Sequence, residues 1–146
     1  MLIAVLNGPN LNLLGIREPE LYGRESLADI EERLRGVARE LHVDLEFAQR
    51  NGEGELVELV QSLRGRADGA LINAGAYSHS SLAIRDAFAA VQVPFVEVHL
   101  SNIFAREPER RRSTLAGHAL ALVCGFGARG YELALRGLVA SLSSRE

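Results

Sequence analysis

The chain has 146 residues, a formal net charge of -3 and a single cysteine. This length predicts one domain, spanning residues 1–146, with a core large enough to need no disulfide. A single cysteine excludes an intrachain disulfide and fits a reducing cytoplasm, and the negative charge gives no general attraction for nucleic acid. No apolar run approaches the length of about 18 residues that crosses a bilayer, so we expect no membrane association.

Short apolar runs alternate along the chain with segments of helical period, a pattern typical of repeated βα units and a parallel sheet. Ser26 and Asp29 form a capping-box pattern that predicts the start of the first helix. The arginine-rich residues 101–118 are predicted to be mostly a connection, and Cys124 is predicted to be a buried, inert thiol. The predicted strands are residues 2–6, 43–47, 69–72, 95–100 and 119–124, and the further helices lie around residues 56–63, over residues 81–91 and from about residue 130.

The segment between the first strand and the first helix, residues 7–23, reads NGPNLNLLGIREPELYG. Its glycines, prolines and asparagines predict a loop without regular helix or strand, and loops of this length in compact domains are usually functional or disordered. Asn10, Arg17 and Tyr22 make it a candidate active-site lid, since tyrosine can act as a base when positive charge stabilises the phenolate. The alternative, which this segment alone leaves equally open, is a surface loop with Tyr22 as an apolar plug.

Polar or glycine-rich segments follow all five predicted strands. In open parallel sheets, ligands bind outside the carboxyl ends of the strands, at the point where the strand order reverses. For a flavodoxin-like order of 2-1-3-4-5, this crevice lies between the first and third strands. The side chains expected in the crevice are Asn10, Arg17, Tyr22, Asn73, His79 and His99.

In the fourth predicted strand, Glu97 and His99 alternate with Val96 and Val98, so the two polar side chains point to one face. The carboxylate can hold the imidazole in one tautomer and favour its protonated form, which would let His99 give a proton to a leaving group. The alternative is a buried pair with a structural role alone. We favour catalysis, because burying two ionisable groups costs free energy and perturbed groups cluster at functional sites.

With these residues in place, the sequence resembles the type II 3-dehydroquinate dehydratases, also called type II dehydroquinases, over nearly its whole length. The motifs that carry the resemblance, in family order and spacing, are NGPNLNLLGxREPxxYG, NxEGELV, NAGAYxHxSxAxRD, EVHxSNxxARE and GxGxxGYxLAL. The resemblance implies a flavodoxin-like three-layer sandwich, usually assembled as a dodecamer of four trimers. It also implies loss of water from 3-dehydroquinate, giving 3-dehydroshikimate in the shikimate pathway without a metal or organic cofactor.

The resemblance also implies roles for the catalytic candidates. Tyr22 resembles the general base that removes a proton next to the ketone, with Arg17 stabilising its phenolate. Asn10 resembles the residue that orients a water against the developing enolate oxygen, whose stabilisation supplies much of the electrostatic benefit. His99, backed by Glu97, resembles the general acid that protonates the departing hydroxyl.

Substrate binding is implied for a second group of residues. The Asn73 side chain and the backbone amides of Leu100 and Ser101 resemble the family's carboxylate-binding group. His79 and Arg110 resemble contacts to the ring hydroxyls.

Two further residues resemble parts of the lid and of the assembly. Arg106 resembles the arginine that closes with the lid, and Asp86 resembles a residue that reaches into a neighbouring subunit's site. The chain departs from its relatives at residues 106–117, REPERRRSTLAG where many read REEFRxHSYLS, and at residues 50–55, RNGEGE where many read SNHEGE. These departures bear on subunit packing and lid closure. The atypical residues of the longer segment are Pro108, Glu109, Arg112, Thr114 and Ala116.

A dinucleotide site is one rival hypothesis. Gly125, Gly127 and Gly130 form a literal GxGxxG after a strand and at a helix start. We reject this site, because no strand follows to carry an acidic residue that would bind a ribose. Close packing of the strand against the helix is the simpler interpretation.

Other rivals use the residues of the crevice differently. A metal hydrolase built on His79, Glu97 and His99 lacks a spaced metal-binding signature. A hydrolase triad that pairs Ser78 or Ser101 with His99 lacks a nucleophile-elbow motif. A non-catalytic scaffold that binds a polyhydroxy acid remains as an alternative of a different class.

Overall fold

The computed structural model describes residues 1–145, in which five parallel strands form one sheet in the order β2-β1-β3-β4-β5. The strands are β1 (Leu2–Asn7), β2 (Asp44–Gln49), β3 (Gly69–Asn73), β4 (Phe95–His99) and β5 (Ala121–Cys124). Their bounds differ from the predicted ones by no more than two residues. The predicted flavodoxin-like sheet and its strand order are therefore confirmed.

Helices cover both faces of this sheet, because side chains alternate between the faces along each strand. In β1, Ile3 and Val5 belong to the core beneath the helices of residues 27–41 and 129–143, whereas Ala4 and Leu6 belong to the core beneath the helices of residues 53–61 and 82–91. Within residues 1–145, no helix is long and apolar enough to cross a membrane. The α-helices are α1 (Pro19–Tyr22), α2 (Leu27–Leu41), α3 (Glu53–Gln61), α4 (Leu82–Val91) and α5 (Arg129–Ser143).

The predicted start of the first long helix is confirmed by its cap. The Ser26 hydroxyl accepts the Asp29 N–H at 3.1 Å, and the Asp29 carboxylate accepts the Ser26 N–H at 2.9 Å. Both bonds to Ser26 hold the pKa of the Asp29 carboxyl below its usual range. The cap therefore contributes stability above the ordinary carboxyl pKa and loses it as the pH falls. Ser81 caps α4 in the same way, accepting the Ile84 N–H at 3.0 Å.

Two predictions about local structure are wrong. The lid segment was expected to hold no regular structure, yet it contains a 3-10 turn at Leu11–Leu13 and the single helical turn of α1. Pro19 explains α1, since proline is favoured at the first helical position, and Gly23 ends it with a φ of 88°. Cys124 was expected to be buried, but it is partly exposed because β5 is an edge strand.

The start of the lid is held tightly against the end of β3. The Gly8 N–H donates to the Asn73 carbonyl at 2.8 Å as the chain leaves β1. A Cβ on Gly8 would lie 2.6 Å from the carbonyl oxygen of Ala74, closer than real Cβ atoms approach. Both groups are backbone, so any side chain at this position must displace the lid or the loop after β3.

We therefore expect Gly8→Ala to lower the free energy of unfolding by about 1–3 kcal/mol, the usual range for overpacking. Gly137→Ala is the matched control, because Gly137 lies in the middle of α5 with open space around its Cα. Alanine there should raise the free energy of unfolding by roughly 0.5–1 kcal/mol. Urea denaturation of both variants tests the pair, and equal changes would contradict the close approach at Gly8.

Candidate active site

A crevice lies outside the carboxyl ends of β1, β3 and β4, where the strand order reverses. It is bounded by the lid segment on one side and by the loops after β3 and β4 on the other. The sequence-predicted residues that line it are Asn10, Arg17, Tyr22, Asn73, His79, His99, Leu100, Ser101, Arg106 and Arg110. The structure thus brings together side chains that are distant in sequence but follow neighbouring strands.

Tyr22, the last residue of α1, presents its phenol oxygen to a guanidinium group. Both terminal nitrogens of Arg106 donate to that oxygen at 3.3 Å, and one of them also donates to the Ser101 hydroxyl at 3.0 Å. Arg17 instead lies over the ring, with its guanidinium carbon 4.9 Å from the ring centroid. The Arg106 side chain is 14% exposed and that of Arg17 is 35% exposed, so solvent screens Arg106 less.

Glu97 and His99 lie side by side at the end of β4, as the alternation of the strand predicts. The Glu97 side chain is completely buried, and His99 Nε2 lies 3.4 Å from Glu97 Oε1, an ion-pair distance. The same carboxylate oxygen accepts a hydrogen bond from the Ser113 hydroxyl. Because Nε2 is buried beside Glu97 and the ring lines the crevice, Nδ1 is the nitrogen left to meet a ligand.

His79 stacks beside His99, with ring centroids 5.9 Å apart. Its Nδ1 lies 2.8 Å from the carbonyl oxygen of Arg112. Since a carbonyl only accepts, Nδ1 carries the hydrogen and Nε2 of the neutral ring is an acceptor. Burial lowers the pKa of His79, although the bond to Arg112 opposes that shift. The neutral imidazole is therefore suited to accept a hydrogen bond from a ligand hydroxyl.

The floor of the crevice is a buried polar network. The Tyr131 hydroxyl donates to Asn7 Oδ1 at 2.6 Å and accepts from Asn73 Nδ2 at 3.0 Å. Asn73 Oδ1 accepts the Gly75 N–H at 3.2 Å, so one Asn73 N–H remains to face the crevice. Burial raises the pKa of the Tyr131 hydroxyl far above its ordinary value, which keeps the phenol neutral.

Asn10 holds a left-handed backbone conformation, with φ at 69°. Asparagine tolerates this region better than most residues. The Asn10 N–H donates to Asn51 Oδ1 at 3.0 Å, and the same oxygen accepts from Gln49 Nε2 at 3.1 Å. The loop after β2 therefore sets the position of Asn10, and its side chain projects at the exposed rim of the crevice.

Comparison with known proteins settles the family. Residues 1–139 match the family model described as dehydroquinase class II. The chain belongs to this family. The family and the hydro-lyase class predicted from the sequence are both confirmed.

Members of the dehydroquinase family resemble the chain over almost its entire length. A 3-dehydroquinate dehydratase from Gemmatimonas aurantiaca is 60% identical over 142 residues, which are 97% of this chain and 93% of that protein. One from Prochlorococcus marinus is 54% identical over 140 residues, covering 96% of this chain and 97% of that protein. The type II dehydroquinase of Butyrivibrio crossotus superposes with a TM-score of 0.92 at 38% identity, covering 94% of this chain and 97% of that chain.

The residues of the rival sites are arranged differently from what those sites would need. Among residues 1–145, no three His, Cys, Asp or Glu side chains form a group that could hold a metal ion. His79 and Glu97 are instead engaged by Arg112 and Ser113. Gly130, the last glycine of the GxGxxG pattern, lies at the start of α5 against Val123, as close packing of strand and helix requires.

Asp86 lies outside the crevice of its own chain. It is on α4, its side chain is 71% exposed, and its carboxylate lies 3.4 Å from Arg85. Its proposed reach into a neighbouring dehydroquinase subunit stays a prediction. Arg110 does line the crevice and is held by Glu107 at 2.6 Å.

The atypical residues of the segment that departs from the dehydroquinase pattern include two that hold it against the loop after β3. Arg112 reaches His79 with its carbonyl oxygen, a contact that any residue can make. The atypical Thr114 docks the segment, since its hydroxyl lies 3.2 Å and 3.1 Å from the carbonyl oxygens of Ser78 and Ser81. Two short 3-10 turns, Ile103–Ala105 and Pro108–Arg110, interrupt the predicted connection.

Sequence reasoning missed the floor network and Ser113. Tyr131 falls at an apolar position of the last predicted helix, and its ring packs in the core. The one available signal was Asn7, a polar residue that ends an apolar strand, because a buried amide needs hydrogen-bond partners.

Replacing Tyr131 with phenylalanine tests the floor network. Tyr131→Phe leaves buried groups of Asn7 and Asn73 without a partner, so the free energy of unfolding should fall by about 1–3 kcal/mol. Tyr77→Phe is the control, because the Tyr77 hydroxyl donates to the Asn51 carbonyl at 2.8 Å in an exposed setting. Thermal and urea unfolding should show the smaller loss for Tyr77→Phe. Equal losses would contradict the cost assigned to the buried amides.

Proposed function

We propose that this chain converts 3-dehydroquinate into 3-dehydroshikimate and water through an enolate, as a step of the shikimate pathway that leads to chorismate and the aromatic amino acids. The observation that carries the proposal is the crevice in which the phenol oxygen of Tyr22 meets Arg106 while His99, backed by a buried carboxylate, lines the same space. The names and identities of the relatives support the substrate.

Tyr22 is the general base of the first step. A phenol needs nearby positive charge to lose its proton near neutral pH. At about 4 Å and an effective dielectric near 20, one unit charge supplies about 4 kcal/mol of raw attraction. Arg106 donates to the oxygen where the charge forms, and Arg17 adds its charge over the ring. The phenolate removes a proton from the carbon next to the ketone, and the electron pair moves onto the carbonyl oxygen.

Asn10 orients a water against the resulting enolate oxygen. Donors that are fixed before the reaction stabilise developing charge without reorganising during it. The Asn10 backbone is fixed by Asn51, which supports this role. His99 then protonates the departing hydroxyl, which leaves as water, and the enolate collapses to the conjugated ketone. Glu97 stabilises the imidazolium form that the second step requires.

Binding of the substrate is assigned to the opposite wall. The free N–H of Asn73 and the backbone amides of Leu100 and Ser101 bind the substrate carboxylate. His79 accepts from a ring hydroxyl through Nε2, and Arg110 contacts a second hydroxyl. No metal or organic cofactor takes part in the proposed reaction.

We place the reaction in the cytoplasm and in a single domain that assembles into trimers and then a dodecamer. Asp86 is available for contact between subunits, because its side chain is 71% exposed on α4. In the trimer it would approach the crevice of a neighbouring copy.

The proposed function is tested by following ultraviolet absorbance after 3-dehydroquinate is added to the protein with a chelator present. A rise from the conjugated product is expected. Absence of the rise in a folded protein that binds the substrate would overturn the proposal and favour a non-catalytic scaffold. A rise that appears without the chelator and is lost with it would instead show a metal-dependent elimination and contradict the cofactor-free reaction.

A further inference from the structure

Ser113 lies outside every role assigned so far, yet its hydroxyl contacts the buried acid of the site. Oγ donates to Glu97 Oε1 and accepts the N–H groups of Leu115 and Ala116, each at 3.1 Å. The residue sits in the arginine-rich connection, immediately after the carbonyl that holds His79. One short stretch of chain, residues 112–113, therefore contacts the His79 ring directly and the carboxylate beside the His99 ring.

The three hydrogen bonds of the Ser113 hydroxyl determine where its hydrogen points. A hydroxyl has one hydrogen to donate and two lone pairs to accept with. The amides of Leu115 and Ala116 occupy both lone pairs, so the hydroxyl hydrogen points to Glu97. A hydrogen on Oε1 of Glu97 would find no acceptor on Ser113, and a hydrogen on the buried Oε2 would find no acceptor among residues 1–145. The contact therefore favours the ionised carboxylate, since hydrogen bonds to a charged form stabilise it.

This preference matters because Glu97 is completely buried. Burial disfavours a carboxylate, and it would drive the proton of a Glu–His pair toward the carboxyl group. His99 Nε2 lies 3.4 Å from the oxygen that Ser113 also contacts. The hydrogen bond from Ser113 opposes the effect of burial and favours the state in which the imidazole carries the proton.

The charges around the pair make this assistance necessary. A protonated His99 is repelled by the arginines that line the same crevice, whereas Glu97 is the anion beside the ring. The titratable and charged groups that face the pair across the crevice are His79, Arg17, Tyr22, Arg106 and Arg110. The imidazolium thus depends on the charge of Glu97.

We propose that Ser113 is a positioning residue that keeps Glu97 ionised, so that the proton of the Glu97–His99 pair stays on the imidazole. The inference rests on the proposed function, in which His99 is the general acid. Ser113 does not line the crevice, so it acts through Glu97 and leaves substrate contacts unchanged. Its removal should therefore change kcat and its pH dependence more than KM.

The test compares Ser113→Ala with Ser113→Thr, which keeps the hydroxyl, and with Ser143→Ala at an exposed position of α5. For Ser113→Ala, we expect the alkaline limb of the kcat profile to move to lower pH by about one unit, the size of shift that loss of a hydrogen bond to a charged group produces. Nitrogen-15 NMR of His99, assigned with His99→Gln, should show a smaller imidazolium fraction at fixed pH. Ser113→Thr and Ser143→Ala should behave like the parent.

A double substitution isolates the path through Glu97. On a Glu97→Gln background, Ser113→Ala should produce no further shift, because the carboxylate through which it acts is absent. If Ser113→Ala fails to fold, Ser113→Cys supplies a weaker donor and should give an intermediate shift. An unchanged pH limb and an unchanged His99 signal, with lowered stability alone, would overturn the proposal and leave Ser113 a turn residue.

The NMR measurement needs no turnover. A parent protein without dehydratase activity would refute the proposed function, while the charge state of His99 in Ser113→Ala would still decide the role of Ser113.

Discussion

Replacing Tyr22 with phenylalanine is expected to lower turnover of 3-dehydroquinate by about 10²–10⁴-fold, the range that a positioned general base contributes. The change removes the oxygen to which Arg106 donates twice at 3.3 Å and keeps the ring over which Arg17 lies. The free energy of unfolding should fall by no more than about 1.5–3 kcal/mol, the range for hydrogen bonds with a charged group, and the variant should stay folded.

Two measurements make this result specific. In deuterated water, the parent should exchange the substrate hydrogen next to the ketone, and Tyr22→Phe should lose this exchange together with product formation. Tyr77→Phe removes a phenol oxygen outside the crevice lining and should keep both. Full turnover in Tyr22→Phe would contradict the base assignment and return Tyr22 to the role of an apolar plug.

Replacing His99 with glutamine is expected to lower water loss by about 10²–10⁴-fold, because the amide cannot supply a proton to the departing hydroxyl. Glutamine keeps an N–H donor near the buried Glu97 carboxylate, so folding should persist. Proton removal by Tyr22 should also persist. His99→Gln is therefore expected to exchange the hydrogen next to the ketone without completing the elimination.

The contrast between exchange and elimination separates the two roles. Mass spectrometry of recovered 3-dehydroquinate measures exchange, and absorbance of the conjugated product measures elimination. Loss of both activities in folded His99→Gln would contradict a role confined to the leaving group. Retention of both would leave Glu97 and His99 a structural pair.

The fold could be predicted because its signals are local. Apolar runs of strand length and the Ser26–Asp29 cap each depend on a few adjacent residues, and the structure has the capping box in place. The position of the crevice could be predicted from a topological rule, since the carboxyl ends of all strands in a parallel sheet lie at the same edge. Glu97 and His99 were recognisable because a period of two placed both polar groups on one face of a buried strand.

The arrangement inside the crevice was less predictable. Arg17 was expected to be the partner of Tyr22, being five positions earlier in the same loop, but Arg106 donates to the phenol oxygen. Sequence proximity is a poor guide here, because the lid folds back over the loop after β4. Arg17 lies against the ring face instead, 4.9 Å from its centroid.

Ser113 and Tyr131 escaped sequence reasoning for a different reason. Their partners are distant in the chain, and neither hydroxyl belongs to a periodic pattern. Ser113 reaches Glu97 across 16 positions, and Tyr131 reaches Asn7 across 124. Cys124 was misjudged because an apolar run does not say whether its strand is central or at the edge of a sheet.

The bond between Tyr131 and Asn7 has a consequence for synthesis on the ribosome. Asn7 is made early, but its partner follows 124 positions later. At about 5–20 residues per second, the wait is about 6–25 s. During this time the Asn7 amide lacks its Tyr131 partner, because the helix that completes the floor of the crevice has not been made. Catalytic competence is expected only after the last helix has been added, so truncated products of interrupted translation should be unable to bind substrate.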